Sequence, residues 1–242
     1  MHLKTIRKLK APLIIASIHG QFPLSSQLKN AKKNGADILE LRIDTFSKQS
    51  TNLWKKSIQN IKKQCALPIL LTIRSEKEQG LIQNTNKFSD FEREQIFTTL
   101  MPHIHAIDIE LSSTLLAKKL IKTARQQKKI VILSYHNFHA IPSVKKIAAL
   151  KTQFKLLSGD IFKIAATTRS IQETRQLLEL CWKLEPIPRC IIAMGKIGAI
   201  SRIAGFLFGS CLTYGSVSTT TAPGQFSIKT LQEFKKSFYT GY

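Results

Sequence analysis

The sequence predicts an α/β protein, a (β/α)8 TIM barrel built as a single catalytic domain over residues 1–242, and three observations point to it. Eight short runs rich in Ile, Val and Leu recur at 12–18, 36–43, 68–74, 105–111, 129–135, 160–165, 189–194 and 211–217. The segments between them are longer, Lys-rich and helically spaced, so β then α repeats about every 30 residues. Parallel strands need crossover connections and are covered on both faces, and eight such units close into a barrel. A doubly wound open sheet is the alternative, but no G-x-G-x-x-G turn follows the first run, where a dinucleotide fold carries one.

The first run follows a basic stretch, residues 1–10, which superficially resembles a secretory signal. Its apolar part is short and lacks a small-residue cleavage site, so it reads as a strand. No apolar run approaches the roughly 20 residues that cross a bilayer, so a membrane-spanning protein is not expected. Between strands, Leu115, Leu116 and Ile121 in one segment and Ile171, Leu177, Leu178 and Cys181 in another have helical spacing. Helix starts are expected at Ser112–Ser113, just after Ile141–Pro142, and at Ser227, where a capping hydroxyl or a first-turn proline fits. No Pro/Gly linker or low-complexity tract divides the chain, hence one domain.

Thirty-seven Lys and Arg against fifteen Asp and Glu give a formal charge of +22, which raises nucleic acid, anionic membrane or anionic substrate as partners without choosing among them. The lysines are spread over all the helices instead of forming one stripe with aromatics, and no nucleic-acid module is recognisable. Nucleic acid is therefore not an expected partner, and the excess reads first as a solvated exterior. Cys65, Cys181, Cys190 and Cys211 are far apart with no C-x-x-C spacing, which suggests a reducing, cytoplasmic setting.

Side chains alternate along a strand, so Glu40, Arg42 and Asp44 share the face opposite the aliphatic Leu39, Leu41 and Ile43, and that face is the barrel interior. The same alternation sends Thr72 and Arg74, Asp108 and Glu110, and Ser134 and His136 inward. Asp37, Glu76, Glu78 and Asp160 also fall on or beside strands, although acids are scarce elsewhere. Interior charges are costly unless paired or used, and barrel enzymes build their sites at the carboxyl-terminal mouth. A salt-bridge network that merely satisfies itself is the plainer reading of the Glu40 face alone.

Lys163 is the sharpest single residue, an ammonium inside the otherwise apolar run Ile161-Phe162-Lys163-Ile164-Ala165. A desolvated lysine loses proton affinity, which would leave a neutral amine free to attack a carbonyl. Snorkelling to solvent, or pairing with an interior acid, remains the alternative. His136 ends the fifth strand, where an imidazole suits proton transfer near neutral pH as well as plain hydrogen bonding. Arg202, early in a helix after the seventh strand, carries a fork suited to a carboxylate; a solvated or structural arginine is the competing view. The polar, Gly-containing stretch 215–225 reads as a lid or a surface loop.

Glu40-Leu41-Arg42-Ile43-Asp44, Arg74 to Glu78, Ser134-Tyr135-His136, Lys163-Ile164-Ala165, Met194-Gly195-Lys196, Ser201-Arg202 and Ala222-Pro223-Gly224-Gln225 together carry a resemblance. With these motifs in this order, the chain resembles the type I 3-dehydroquinate dehydratases of the shikimate pathway over essentially its whole length. The resemblance implies a cofactor-free, metal-free dehydration of the anionic 3-dehydroquinate to 3-dehydroshikimate, with Lys163 forming an imine to the ring ketone and His136 moving the protons. It further implies that Glu78 orients His136 and that Glu40, Arg42 and Arg74 hold ring hydroxyls. Arg202 would clamp the carboxylate, while Gln225 and Thr221 on the closing loop, with Ser17 and Met194, would line the pocket. A cytoplasmic homodimer is expected. Thr221 stands where the family usually has serine, and Tyr214 where it often has phenylalanine.

Two other enzyme readings fit less well. A class I aldolase would also use an inward lysine on the sixth strand, but no Gly-rich phosphate cradle surrounds strands seven and eight. A metal hydrolase would need His103, His105, His136 and His139 with Asp108 or Glu110, yet the H-x-H precedes its strand instead of ending it.

Overall fold

The computed structural model describes residues 9–78, 86–217 and 224–239. Among them strands and helices alternate in the order β1 (Leu13–Ile18), α1 (Leu24–Lys33), β2 (Ile38–Arg42), α2 (Thr51–Gln64), β3 (Ile69–Thr72), α3 (Asp90–Leu100), β4 (Ala106–Glu110) and α4 (Thr114–Gln126). The second half continues with β5 (Ile130–Asn137), α5 (Val144–Leu157), β6 (Ile161–Thr167), α6 (Ile171–Lys183), β7 (Arg189–Met194), α7 (Ser201–Ala204), β8 (Leu212–Ser216) and α8 (Ile228–Tyr239). All strand pairings are parallel, and the order 7-6-5-4-3-2-1-8 brings β8 round to β1. This is the expected (β/α)8 barrel.

Seven neighbouring pairs form regular ladders, whereas β7 and β8 meet through a single bridge, Arg189 to Ser210. Side chains supplement the ladder there: Ile191 N–H donates to Ser210 Oγ at 3.1 Å, and the Arg189 guanidinium donates to the carbonyl of Phe208 at 3.0 Å.

The alternation read from the sequence sorts the strands as expected. Leu39, Leu41, Ile73, Ile107, Ile109, Leu133, Phe162 and Ile164 pack outward against the helices in one continuous core. A second apolar layer fills the barrel's lower interior, built from Ile15, Ile38, Leu70, Ile132, Ile161 and Cys190 among others. Above it the inward positions turn polar. The interior thus has a dry floor and a charged upper storey, as the layered packing of such barrels allows.

The helices follow the 3.6-residue period, α4 burying Leu116, Ala117, Leu120, Ile121 and Ala124 along one stripe. Leu115 and Ile171 lie on the solvent side of their first turns, at 75% and 69% exposure. α5 starts just after Ile141–Pro142 as expected, capped by Ser143, whose Oγ accepts from the Lys146 N–H at 3.2 Å. Ser113 precedes α4 as expected, and Ser227 Oγ accepts from the Thr230 N–H at 3.1 Å at the start of α8. β5 and β6 run two residues past their expected ends, because their shared ladder continues to Asn137 and Ala166. That extension carries His136 to the mouth as part of a strand.

Candidate active site

The register of β5 against β6 pairs Ser134 with Lys163 and His136 with Ala165. Lys163 and His136 therefore sit on neighbouring strands, on the same inward face, two positions apart. Lys163 is buried, and its Nζ lies 2.9 Å from Asp108 Oδ2 and 4.2 Å from the centroid of the Tyr214 ring. Of the two readings of Lys163, the structure shows the pairing with an interior acid. Burial alone would push the Asp108 carboxyl up, but Arg74, and after it Lys163, hold it well below the usual carboxylate range.

Arg74 ties this centre to the neighbouring strands. Its NH1 donates to Asp108 Oδ1 at 2.9 Å, to Ser134 Oγ at 2.8 Å and to Glu110 Oε1 at 3.3 Å. Although burial works against the guanidinium charge, Asp108 and Glu110 outweigh it and hold that charge firmly. Glu110 has a second cation on its far side, Arg93 of α3, which also bonds the Ile73 carbonyl at 3.0 Å and Ser113 Oγ at 2.9 Å. Two arginines thus bracket one carboxylate, and every member of the network has a partner, the condition under which buried charge is tolerable.

His136 closes the other side. Glu78, in a 3-10 turn after β3, accepts from the His136 backbone N–H and lies 3.0 Å from the ring Nδ1, both contacts through Oε2. Its other oxygen accepts from Ser112 Oγ at 2.7 Å. Burial first, then the charges of Arg74 and Lys163, hold the imidazole's proton affinity well below the ordinary histidine value, so the ring is neutral. A neutral ring that donates from Nδ1 to Glu78 leaves Nε2 with its lone pair bare, the form of a base. Burial and the nearby Glu110 push the Glu78 carboxyl up to about 7. The contact is therefore a neutral imidazole on a carboxylate that ionises near neutrality.

Glu40 accepts from Ser17 Oγ at 2.5 Å and from Thr72 Oγ1 at 2.9 Å. Arg42 holds Asp44 in a two-pronged contact, Nε to Oδ1 at 3.0 Å and NH2 to Oδ2 at 2.7 Å. Met194 ends β7 and joins the interior apolar cluster. Gln225 is buried, beside Gly224, whose φ of 71° and close approach to the Gly195 carbonyl, 2.2 Å from a Cβ built there, require glycine. Thr221 lies outside the described residues.

Arg202 is the exception among the buried arginines. Arg42, Arg74, Arg93 and Arg189 each face a carboxylate. Among the described residues Arg202 has none: NH1 donates to the Ala193 carbonyl at 3.1 Å, and Nε has no partner. Burial brings its proton affinity down from 12.5 to about 10, a loss of about 3 kcal/mol in preference for the charged form.

Several residues escaped sequence reasoning. Arg93 sits in an Asp/Glu-flanked helical stretch that reads as a solvated face, and its contact with Glu110 has no local signal. Asp108 was expected inward, but its pairing with Lys163 crosses 55 positions of sequence. His19, directly after β1, is buried among Arg42, Glu40 and Asp44. Conversely, Asp37 and Asp160 stand at the opposite end of the barrel, where each accepts from the first N–H groups of a neighbouring strand. Glu76 is exposed and pairs with Lys87. His103 and His105 lie before β4, at the end remote from His136, so the four histidines do not converge.

The family described as Type I 3-dehydroquinase matches residues 18–241. The 3-dehydroquinate dehydratase of Aquifex aeolicus is 38% identical over 219 residues, covering 89% of this chain and 94% of that protein. The enzyme of the same name from a Hydrogenobaculum species is 36% identical, covering 86% and 91%. The Aquifex aeolicus crystal structure superposes with a TM-score of 0.85, covering 95% of this chain and all of that one. The type I enzyme from Clostridium difficile, crystallised with covalently modified comenic acid, superposes at 0.86 with 25% identity, covering 95% and 93%.

Proposed function

This chain belongs to the type I 3-dehydroquinase family, and from that premise we propose that it dehydrates 3-dehydroquinate on Lys163, with His136 as the proton carrier and Glu78 as its orienter. The observation that carries the assignment is the shared inward face of Lys163 and His136 on adjacent strands. In this reading one six-membered ring spans both.

The Asp108 pair fits imine chemistry once the charges are followed. An ammonium and a ketone combine to an iminium and one water, with a single positive charge before and after. Asp108 thus faces a cation at Nζ before the attack and in the iminium, and Arg74 stays beside it through the neutral amine, carbinolamine and enamine stages, so the carboxylate is never left unpaired. To attack, Nζ gives up one proton, and the carbinolamine hydroxyl takes one up as it leaves. The iminium then acts as the electron sink. His136 Nε2 takes a proton from the adjacent ring carbon, giving an enamine and an imidazolium that the ionised Glu78 stabilises. The enamine pushes out the ring hydroxyl, which leaves as water with the proton from His136, and the iminium is restored. Hydrolysis frees 3-dehydroshikimate and the lysine.

Arg202, the buried cation with no carboxylate among the described residues, receives the substrate carboxylate, and Glu40, Arg42, Arg74 and Ser17 face the ring hydroxyls. Met194, Gln225 and Thr221 complete the enclosure in this reading. We extend it to a cytoplasmic homodimer. The four unpaired thiols support the reducing compartment, and exposed Ile197, Ile200 and Leu207 offer apolar surface to a second copy; light scattering checks the latter.

The decisive experiment is intact-mass spectrometry after borohydride treatment with and without 3-dehydroquinate. A substrate-dependent adduct on the peptide containing Lys163 is expected. An unmodified protein that nevertheless turns over substrate refutes the imine.

A further inference from the structure

His19 is the first residue after β1, and the alternation that turns Ile15 and Ser17 inward turns it inward too, one step nearer the mouth. Its side chain is 2% exposed, and among the described residues neither ring nitrogen has a hydrogen-bond partner. Buried polar groups almost always have one. The ring cannot easily move to find it. The His19 N–H donates to Gln27 Oε1 at 3.0 Å and its carbonyl accepts from Gln27 Nε2 at 2.7 Å. At Gly20 the chain runs so close to the Thr45 carbonyl that a Cβ there would lie 2.2 Å from its oxygen. The backbone is therefore pinned on both sides of an imidazole whose polar atoms have no partner among the described residues.

The chemistry of the missing partner follows from the neighbours. Burial and Arg42 bring the ring's proton affinity down to about 4, so it is neutral, with one N–H to give and one lone pair to fill. A carboxylate satisfies only the N–H and would face Glu40 and Asp44. A hydroxyl both donates and accepts, and it adds no charge. We propose that His19 is a substrate-binding residue whose imidazole hydrogen-bonds a secondary ring hydroxyl of 3-dehydroquinate, on the β1–β2 side of the mouth. This deepens the assignment above and rests on it.

The test compares the wild type with His19→Phe, which keeps a ring but no polar atom, and His19→Gln, which keeps a donor and an acceptor. With 3-dehydroquinate, His19→Phe is expected to raise KM roughly tenfold with kcat within about twofold, the signature of a lost contact made equally in ground and transition states. His19→Gln recovers most of the loss. With the analogue lacking the contacted hydroxyl, at ring position 4 or 5, wild type and His19→Phe become equal. Unchanged KM in His19→Phe, or the same penalty with both deoxy analogues, overturns the assignment. The borohydride adduct on Lys163, measured in parallel, separates the two levels: an adduct with unchanged KM removes only His19, and no adduct in the wild type removes the mechanism as well. Should His19→Phe fail to fold, the imidazole 15N resonances of the wild-type protein decide. A shift of the His19 signals on adding 3-dehydroshikimate supports the contact, and a static signal refutes it.

Discussion

Asp37 and Asp160 stand at the amino-terminal ends of their strands, while Glu78, Asp108 and Glu110 stand toward the mouth, and the two sets are held differently. At the floor each carboxylate has simple local duties. Asp160 accepts from the Val131 N–H at 2.8 Å and pairs with the half-exposed Arg125; Asp37 accepts from the Ile14 N–H at 2.8 Å and pairs with Lys235. At the mouth the carboxylates share partners: Asp108 serves Arg74, Ser134 and Lys163 together, and Glu110 serves two arginines and the Ser75 N–H. An acid beside a strand is therefore no mark of a site. Shared, buried partners that perturb one another are.

This contrast can be broken by substitution, and the mouth is expected to answer in rate. His136→Ala removes the only group in the reading that moves the ring protons. It is expected to lower kcat by about 10^3 to 10^4 while the borohydride adduct still forms. Adduct loss in that variant would mean that His136 is needed for imine formation itself. Arg202→Leu removes the uncompensated cation, and kcat/KM should fall about a hundredfold, the worth of a charge-assisted contact; steady-state kinetics with 3-dehydroquinate reads it.

A smaller effect carries the pH dependence. Below about 7 the Glu78 carboxyl is protonated and no longer accepts from Nδ1, so the His136 tautomer with a bare Nε2 loses its support. The rate therefore rises with pH through about 7, and the apparent midpoint belongs to the pair. Glu78→Gln keeps an acceptor that does not titrate. It should cost about tenfold at high pH, for want of a charge to stabilise the imidazolium, and it should flatten that limb. A limb that persists in Glu78→Gln would assign it to another group. At the floor the answer is stability instead. Asp160→Ala strands the buried Val131 N–H, and chemical denaturation should show a loss of about 1–3 kcal/mol with kcat within about twofold.

Much of this molecule is legible in its sequence because strand alternation is a local property. The inward placement of Glu40, Arg74, Asp108, His136 and Lys163 follows from their immediate neighbours, and so does the barrel, from the repeat. What the local pattern lacks is the partner. It presents Lys163 as an isolated amine, although Asp108, two strands away, meets it. It leaves Arg93 among solvated residues, although that side chain crosses from α3 to Glu110. It gives Asp37 and Asp160 the same weight as Asp108, because the end of a strand at which an acid sits matters as much as its adjacency. His19 reads as the last residue before a turn. Only the packed chain shows that its buried ring has no hydrogen-bond partner among the described residues.

The thin joint between β7 and β8 has a consequence for how the filled barrel behaves. Seven of its staves are laced along their length and one pair is tacked at a single stitch. Arg202 hangs on the stretch of chain spanning that stitch, and Lys163 belongs to the sheet on one side of it. In the proposed reading, a molecule gripped by its carboxylate at one and bonded covalently at the other would be a clasp across the weakest line of the hoop, and the cargo itself would help to keep the vessel shut while it is being changed.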